Sequence, residues 1–259
     1  MKDLINIIIF VYNNEDKIKE IIDNAKILTN KIIVIDLESD DHTTQIAKKK
    51  RAVVFTFPHQ IYVEPARDFG IKKANSQWVL ILDADERITR KLANEIIENI
   101  QEAKNQDVGY FKIPRKNIFI DQWLKHGGWW PDYQIRLINK KYYKDWPKEI
   151  HSTPQIEGKT MTLKNPLLHY FHGDLNKMVE KTIIFEDIES DLLFRAGRTA
   201  STVTFFRKFF GELFRRMFRN LGFLDGTCGI IESIYQAFSK TITYLYLYEK
   251  RNIKKSSTL

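Results

Sequence analysis

A chain of 259 residues is long enough for one large α/β domain, or for one domain with a helical appendage. Its 43% of apolar residues can bury a real core, which excludes wholesale disorder, and its single cysteine, Cys228, excludes an internal disulfide and any cysteine-based zinc cluster. The formal net charge of +8 suits a polyanionic partner (nucleic acid, anionic lipid or a phosphorylated acceptor) without choosing among them.

In chain order, residues 5–11 are a continuous apolar run and predict a buried parallel strand. Asn13, Asn14, Glu15 and Asp16 offer capping side chains, and Ile18, Ile21, Ile22, Ala25 and Leu28 then keep helical spacing. A second buried strand over 31–35 ends at Asp36, and Ser39-Asp40-Asp41 opens a short helix over about 42–50, with Asp41 as its N-cap. Residues 52–57 predict a third strand, 65–74 a short helix, 78–82 a fourth strand ending at Asp83, and 88–103 a long amphipathic helix. Strands alternating with helices imply right-handed crossovers and a mostly parallel sheet. Ligands of such sheets bind beyond the carboxyl ends of the strands, where Asp36 and Asp83 both fall.

The second half reads differently. Residues 108–114 and 133–139 alternate like strands, 165–171 predict another, and between them lies a loop rich in glycine and aromatics, including Gln122-Trp123 and Gly127-Gly128-Trp129-Trp130-Pro131-Asp132. Helices are expected from Asp174 onward, with a turn at Asp225-Gly226 and a disordered tail. Met1-Lys2-Asp3-Leu4 runs straight into the first strand, so no signal segment is expected there. No uncharged apolar run reaches the roughly 18 residues of a membrane-spanning helix. The stretch from Leu221 to Tyr248 is broken by Asp225, Glu232 and Lys240, and a cytoplasmic protein is expected.

Asp83-Ala84-Asp85-Glu86 carries the clearest chemistry. Alternate carboxylates at a strand end are close in space and costly to bury unpaired. As hard oxygen ligands they suit Mg²⁺ or Mn²⁺, which would also hold a diphosphate. On these four residues alone, an acidic turn capping the next helix is an equal reading. The apolar strand before them and the second carboxylate strand end at Asp36 favour the site.

Four segments together are more specific. Phe10-Val11-Tyr12-Asn13-Asn14-Glu15, Val34 through Thr43, Ala66-Arg67-Asp68-Phe69-Gly70-Ile71 and Leu80 through Glu86 resemble, in order and spacing, the successive motifs of family 2 glycosyltransferases. The resemblance implies an α/β GT-A fold with a mixed, mostly parallel sheet and a C-terminal helical extension. A catalytic domain would span 1–172, divided into a nucleotide-sugar half (1–105) and an acceptor half (106–172), followed by a helical region over 173–250 and the tail 251–259. It also implies a UDP-sugar donor, with Tyr12 against the base and Asn13 and Glu15 beside it. Asp36 would bond the base, and Arg67 would lie near the diphosphate. Asp83, Ala84 and Asp85 would form the Asp-X-Asp segment, Asp85 as metal ligand and Asp83 nearer the ribose. His42 and Asp68 stand where the family often has glycine and asparagine.

A hydroxyl acceptor needs a base in an inverting transfer. Asp132, in Trp129-Trp130-Pro131-Asp132-Tyr133-Gln134-Ile135-Arg136-Leu137, suits that task, because neighbouring rings can exclude water and stack on sugar faces. The competing reading has Asp132 paired with Arg136 and merely shaping the loop. The segment resembles one in lipopolysaccharide core β-glucosyltransferases, which implies a cell-envelope glycan acceptor, with Trp130, Gln134 and Arg136 as supports. His169 is a candidate second metal ligand, since a late histidine serves some GT-A enzymes. His151 lacks the glutamate that often follows it in that subgroup, and His126 and His172 carry no role.

Val203, Phe206, Phe210, Leu213, Phe214, Met217 and Leu221 cluster on one side of a helix, with Lys208, Arg215, Arg216 and Arg219 opposite. This predicts either an ordinary packed amphipathic helix or a peripheral contact of 203–221 with anionic lipid at the cytoplasmic face of the inner membrane. Two other functions compete with the transferase reading. A sugar-nucleotide pyrophosphorylase would open on a glycine-rich basic loop, which Val11-Tyr12-Asn13-Asn14-Glu15 is not. A basic nucleic-acid-binding protein would need no divalent metal or sugar nucleotide; no nucleic acid partner is expected.

Overall fold

A computed structural model describes residues 4–171 and 175–256. They divide into two compact units: Met1–Lys116 with Asp132–His169, and Asn117–Pro131 with Tyr170–Leu259. The boundary expected at 172 thus falls at 169, and the aromatic loop belongs with the C-terminal helices. His172 and Asp174 lie outside the described residues.

The first unit follows the sequence closely. Its elements are β1 (Ile5–Val11), α1 (Glu15–Ala25), β2 (Ile32–Asp36), α2 (Thr43–Lys49), β3 (Val53–Thr56), α3 (Glu64–Lys73), β4 (Trp78–Asp83), β5 (Glu86–Arg87) and α4 (Arg90–Glu102). Then come β6 (Val108–Phe119), whose last residues enter the second unit, β7 (Gln122–Trp123), which lies wholly in that unit, β8 (Asp132–Asn139), β9 (Tyr143–Asp145), β10 (Gln155–Ile156), β11 (Lys159–Thr162) and β12 (Leu167–Tyr170). The main sheet runs β3-β2-β1-β4-β8-β6-β12-β5, with β11 and β7 each paired to β6. β3, β2, β1 and β4 are parallel, and β4–β8 and β8–β6 are antiparallel. This is the mixed GT-A sheet that the sequence predicts.

β1 is buried along its whole length because helices cover both of its faces. Ile7, Ile9 and Val11 join α1 and α4 residues such as Ile18, Ile22, Leu92 and Ile96 in one core, while Ile8 and Phe10 join Ala66 and Ile71 of α3 in the other. Gly70 sets the second contact: a Cβ there would lie 3.0 Å from the Phe10 ring and 3.1 Å from Ile8. A glycine lets α3 approach β1 closely and brings Arg67, one turn earlier, over the strand ends. The N-cap of α2 is His42 and not Asp41, one residue later than expected, because the helix starts at Thr43. Asp41 accepts the Thr43 amide at 2.9 Å and the Glu15 amide at 3.0 Å, which ties the starts of α1 and α2 together.

The second unit holds α5 (Leu175–Arg195), α6 (Thr202–Phe214) and α7 (Gly226–Ser256), with a π-helical turn over Arg215–Arg219 and a 3₁₀ turn over Gly222–Asp225. Within it, the buried Asp225 accepts the His126 amide and Nδ1, each at 2.7 Å, and Arg216 donates to the Gly127 carbonyl at 3.2 Å, so the aromatic loop is pinned to the turn before α7. The tail expected to be disordered from 251 is instead helical as far as Ser256. Arg251 holds it by donating to the carbonyls of Phe194 and Arg198. No helix among the described residues is long and apolar enough to cross a membrane.

α6 buries none of its residues. Its outward stripe, continued through the π turn, is Phe206 (62% exposed), Phe210 (56%), Phe214 (61%) and Phe218 (56%). Leu213 and Met217, expected on the same face, are half-buried, because α6 packs on α7 along its other side.

Candidate nucleotide-sugar site

The carboxyl ends of β2 and β4 flank that of β1, which brings three segments far apart in sequence to one edge. At the end of β2, Asp36 is 3% exposed. Its Oδ2 accepts the Ser39 amide at 3.2 Å, while its Oδ1 is buried without a hydrogen-bond partner. A buried carboxylate oxygen with no donor is expensive, and a ligand N–H would complete it. Tyr12, at the end of β1, is 44% exposed, with its ring 4.2 Å from that of His59. His59, which no motif singles out, hydrogen-bonds the Leu37 carbonyl and Glu38 and so lies over the same strand end.

Asn13 and Glu15 are placed here too, but they are engaged with the protein. Asn13 Oδ1 accepts the Asp40 amide at 3.0 Å, and its own amide donates to Ser39 at 2.9 Å. Glu15 accepts from both the amide and Nδ1 of His42 at 2.9 Å, and the amide bond above all holds its carboxyl below the usual range. These residues shape the loop around Asp36.

Asp83 sits among arginines. Arg67 reaches its Oδ1 at 3.2 Å, and Arg136 forms a short bond to its Oδ2. Arg67 is 6% exposed and lies over the rings of Phe10 and Trp146, at 5.7 and 4.9 Å. Arg67 thus pairs inward with Asp83 and not at the surface with its helix neighbours Glu64 or Asp68. Burial by itself would raise the Asp83 carboxyl, but Arg136, Arg67 and Arg115 outweigh it and hold the group far below the ordinary carboxylate range. The pairing therefore adds stability that is fully present above the unfolded carboxylate value of about 4 and is lost only as pH falls through the depressed folded value.

Glu86, fully buried, underlies this cluster. Its Oε2 accepts the Asp83 amide at 3.0 Å, and its Oε1 lies 2.8 Å from Arg136 and 3.8 Å from Arg115. Arg136 is thus a buried support of the Asp-X-Asp segment, not a partner of Asp132. Removing one member of such a network leaves a buried charge without compensation. Glu86→Gln should cost about 3–5 kcal/mol. Thermal unfolding would read this as a fall of roughly 6–20 °C, and an unchanged midpoint would mean that Glu86 is not a keystone.

Asp132 begins β8, where it faces Arg115 of β6 across the sheet. Arg115 donates to Asp132 Oδ2 from Nε at 2.8 Å and approaches it from Nη2 at 2.7 Å, and Gln134 donates to Oδ1 at 2.7 Å. Both oxygens are thereby oriented. Sequence analysis missed Arg115 because the strand was expected to end at 114; it continues to Phe119. Trp130 belongs to the second unit, stacked edge-on against Trp123 at 5.3 Å.

Asp85 follows the turn after β4, with Ala84 between it and Asp83. His169 comes from β12, whose pairing with β5 sets it opposite Glu86. The outcome is Asp85 Oδ2 3.6 Å from His169 Nε2. Ligand atoms about 2.0–2.2 Å from a common ion can stand that far apart. One carboxylate and one imidazole suit Mn²⁺ well and Mg²⁺ less well. No group of three or more such side chains occurs among the described residues, so water and a diphosphate would supply the remaining ligands. The residues present therefore fit a divalent ion shared with a nucleotide.

The chain is similar to several known proteins. Over 261 residues the chain is 26% identical to an uncharacterized glycosyltransferase of Rickettsia conorii, covering 96% of this chain and 91% of that one. It is 22% identical over 239 residues to the lipopolysaccharide core biosynthesis glycosyltransferase LpsC of Rhizobium meliloti, covering 86% and 84%. Among solved structures, glucosyl-3-phosphoglycerate synthase from Mycobacterium tuberculosis superposes with a TM-score of 0.49 at 13% identity, over 76% of this chain and 81% of that one. S. aureus TarS 1-349 in complex with UDP-GlcNAc also gives 0.49, at 14% identity over 96% and 92%. The profile of glycosyl transferase family 2 matches residues 6–154, more than half of the chain, and the protein belongs to that family.

Proposed function

We propose that this family 2 glycosyltransferase is an inverting, metal-dependent hexosyltransferase that moves a sugar such as glucose from UDP to a cell-envelope glycan, with lipopolysaccharide core as the acceptor. The observation that carries the donor reading is the Asp85–His169 pair at the strand end beside Asp83. The acceptor class is supported by the likeness to LpsC.

Asp36 Oδ1 accepts the N–H of the base, and Tyr12 lies flat against it. Arg67 stands near the diphosphate. Asp85 and His169 would hold a divalent ion, which would supply Lewis-acid stabilisation of the departing diphosphate. Asp132 takes the proton of the acceptor hydroxyl as its oxygen attacks the anomeric carbon. The bond from that carbon to the diphosphate oxygen breaks on the opposite face, its electron pair leaves with UDP, and configuration inverts. Arg115 and Gln134 keep the Asp132 carboxylate aimed and offset the cost of placing its charge in a partly buried site.

The direct test is calorimetric titration with UDP in the presence of Mn²⁺, on the wild type and on Asp36→Asn. Wild type should bind, and the variant should lose roughly tenfold to a hundredfold in affinity, the worth of a charged hydrogen bond. Absence of UDP binding with Mn²⁺ present, while another nucleotide binds, would overturn the choice of donor.

The exposed phenylalanine stripe of α6 supports a peripheral membrane contact through 203–221, at the cytoplasmic face where lipid-linked acceptors are exposed. Phe206→Ser with Phe210→Ser should at least halve the fraction of protein that floats with lipid vesicles, and full retention would count against the contact.

A further inference from the structure

The second unit contains a cavity that no step of the transfer uses. It has a volume of 590 Å³ and lies between the end of α5, α6 and α7. Arg198, Arg207 and Lys208 line it together with the hydroxyl-bearing Thr199, Thr204 and Tyr244, and no carboxylate does. Other cations of this unit are neutralised within it: Arg215 and Arg216 share Glu212, and Lys250 lies between Asp187 and Asp191. Among the described residues, Arg198 and Arg207 have no ion pair, and the Lys208 ammonium rests 5.0 Å above the Tyr244 ring. Three cations and three hydroxyls with no opposing charge are the donor set of a phosphate site.

The position of the cavity says which phosphate. Thr204, Arg207 and Lys208 belong to α6, and the exposed stripe of Phe206, Phe210 and Phe214 is on the same helix. From 202 to 219 the chain carries five cations (Arg207, Lys208, Arg215, Arg216, Arg219) against one carboxylate, Glu212. The stripe and the cavity lie on different sides of α6, the arrangement of an interfacial helix that turns its rings toward the acyl layer and holds its cations at the level of the phosphates.

We propose that this cavity binds the headgroup phosphate of an anionic phospholipid, and that it makes the α6 contact selective for anionic bilayers. The proposal rests on the membrane contact suggested above for 203–221, but not on the transferase chemistry.

The test is flotation of the full chain with phosphatidylcholine vesicles, with and without phosphatidylglycerol. Three variants are compared with wild type: Arg198→Gln/Arg207→Gln/Lys208→Gln; Phe206→Ser/Phe210→Ser; and a control that neutralises exposed cations of the first unit, Lys48→Gln/Lys49→Gln/Arg51→Gln. Wild type should prefer vesicles that contain phosphatidylglycerol. The cavity variant should lose on the order of a hundredfold in affinity for them, at about a factor of ten or less per cation, and keep its weak partition into neutral vesicles. The phenylalanine variant should lose both. Equal binding of the cavity variant and wild type, or an equal loss by the control, overturns the site while leaving the membrane contact standing. Binding to neither vesicle overturns both, and a stable dimer in that case assigns the α6 face to a second copy of the chain. Displacement from vesicles by millimolar inorganic phosphate would make the ligand a free anion and overturn the lipid assignment.

Discussion

Asp132→Asn should lower turnover by about 10²–10⁴-fold while leaving the affinity for UDP close to that of the wild type. Asparagine keeps the shape of the side chain, and its single oxygen can still accept from Arg115 while its NH2 faces Gln134, whose own amide can turn to accept; in the wild type the two residues reach separate oxygens at 2.7–2.8 Å. Asparagine cannot take a proton at working pH. The loss should therefore fall on kcat. The partner variant Arg115→Lys separates proton acceptance from aiming. A lysine keeps the charge but cannot donate in the same forked geometry, so a smaller loss is expected. Steady-state kinetics with UDP-glucose and a lipopolysaccharide-core acceptor, beside calorimetry with UDP alone, would check both. If Asp132→Asn turned over like the wild type, the base would have to be sought elsewhere.

Asp85→Ala should remove the dependence of UDP binding on Mn²⁺ and cost a comparable factor, roughly 10²–10⁴ in kcat/KM, since several kcal/mol of charge stabilisation act through the ion. The fold should survive: Asp85 is 36% exposed, unlike Glu86, which is fully buried in the arginine cluster. His169→Ala should weaken the metal response less, because diphosphate and water can take its place. If Asp85→Ala still bound UDP more tightly with Mn²⁺ than without, the ion would be held by other residues. Unfolding midpoints of both variants near that of the wild type would show that site and stability have been separated.

The arginine cluster explains why adjacent acidic residues differ in kind. Asp83 and Glu86 are held by Arg67, Arg136 and Arg115, whereas Asp85 turns toward His169. A sequence shows Asp83-Ala84-Asp85-Glu86 as one acidic run. Only pairing across β4, β5, β8 and β12 sorts it into two carboxylates buried among arginines and one that lies beside an imidazole.

Much of the first unit was legible in advance. Apolar runs at 5–11, 32–35 and 78–82, each closing on a polar or acidic residue, determine buried parallel strands, because a strand covered on both faces admits a polar side chain only where it is hydrogen-bonded, as Asn6 is by the amides of Asn75 and Ser76. Helical spacing of Ile18, Ile21, Ile22 and Ala25 determines which face of α1 is buried. The motif order identified the family. The sequence could not show Arg115 against Asp132, His59 against Tyr12, Arg136 beneath Asp83, or the loop 117–131 tied to Asp225. Each joins residues that are remote in sequence or lie on different strands, and such pairing depends on register and on which partner is nearest once the core has formed. Spacing also misplaced part of the α6 face: Leu213 borders the contact with α7, and at Met217 the π turn over 215–219 alters the phase that a uniform 100° per residue assumes. Local pattern thus determined the strands, the helices and the strand-end carboxylates, and tertiary packing alone decided which of those charges are buried against arginines and which stand partly exposed at the strand ends, because packing sets which partner is nearest.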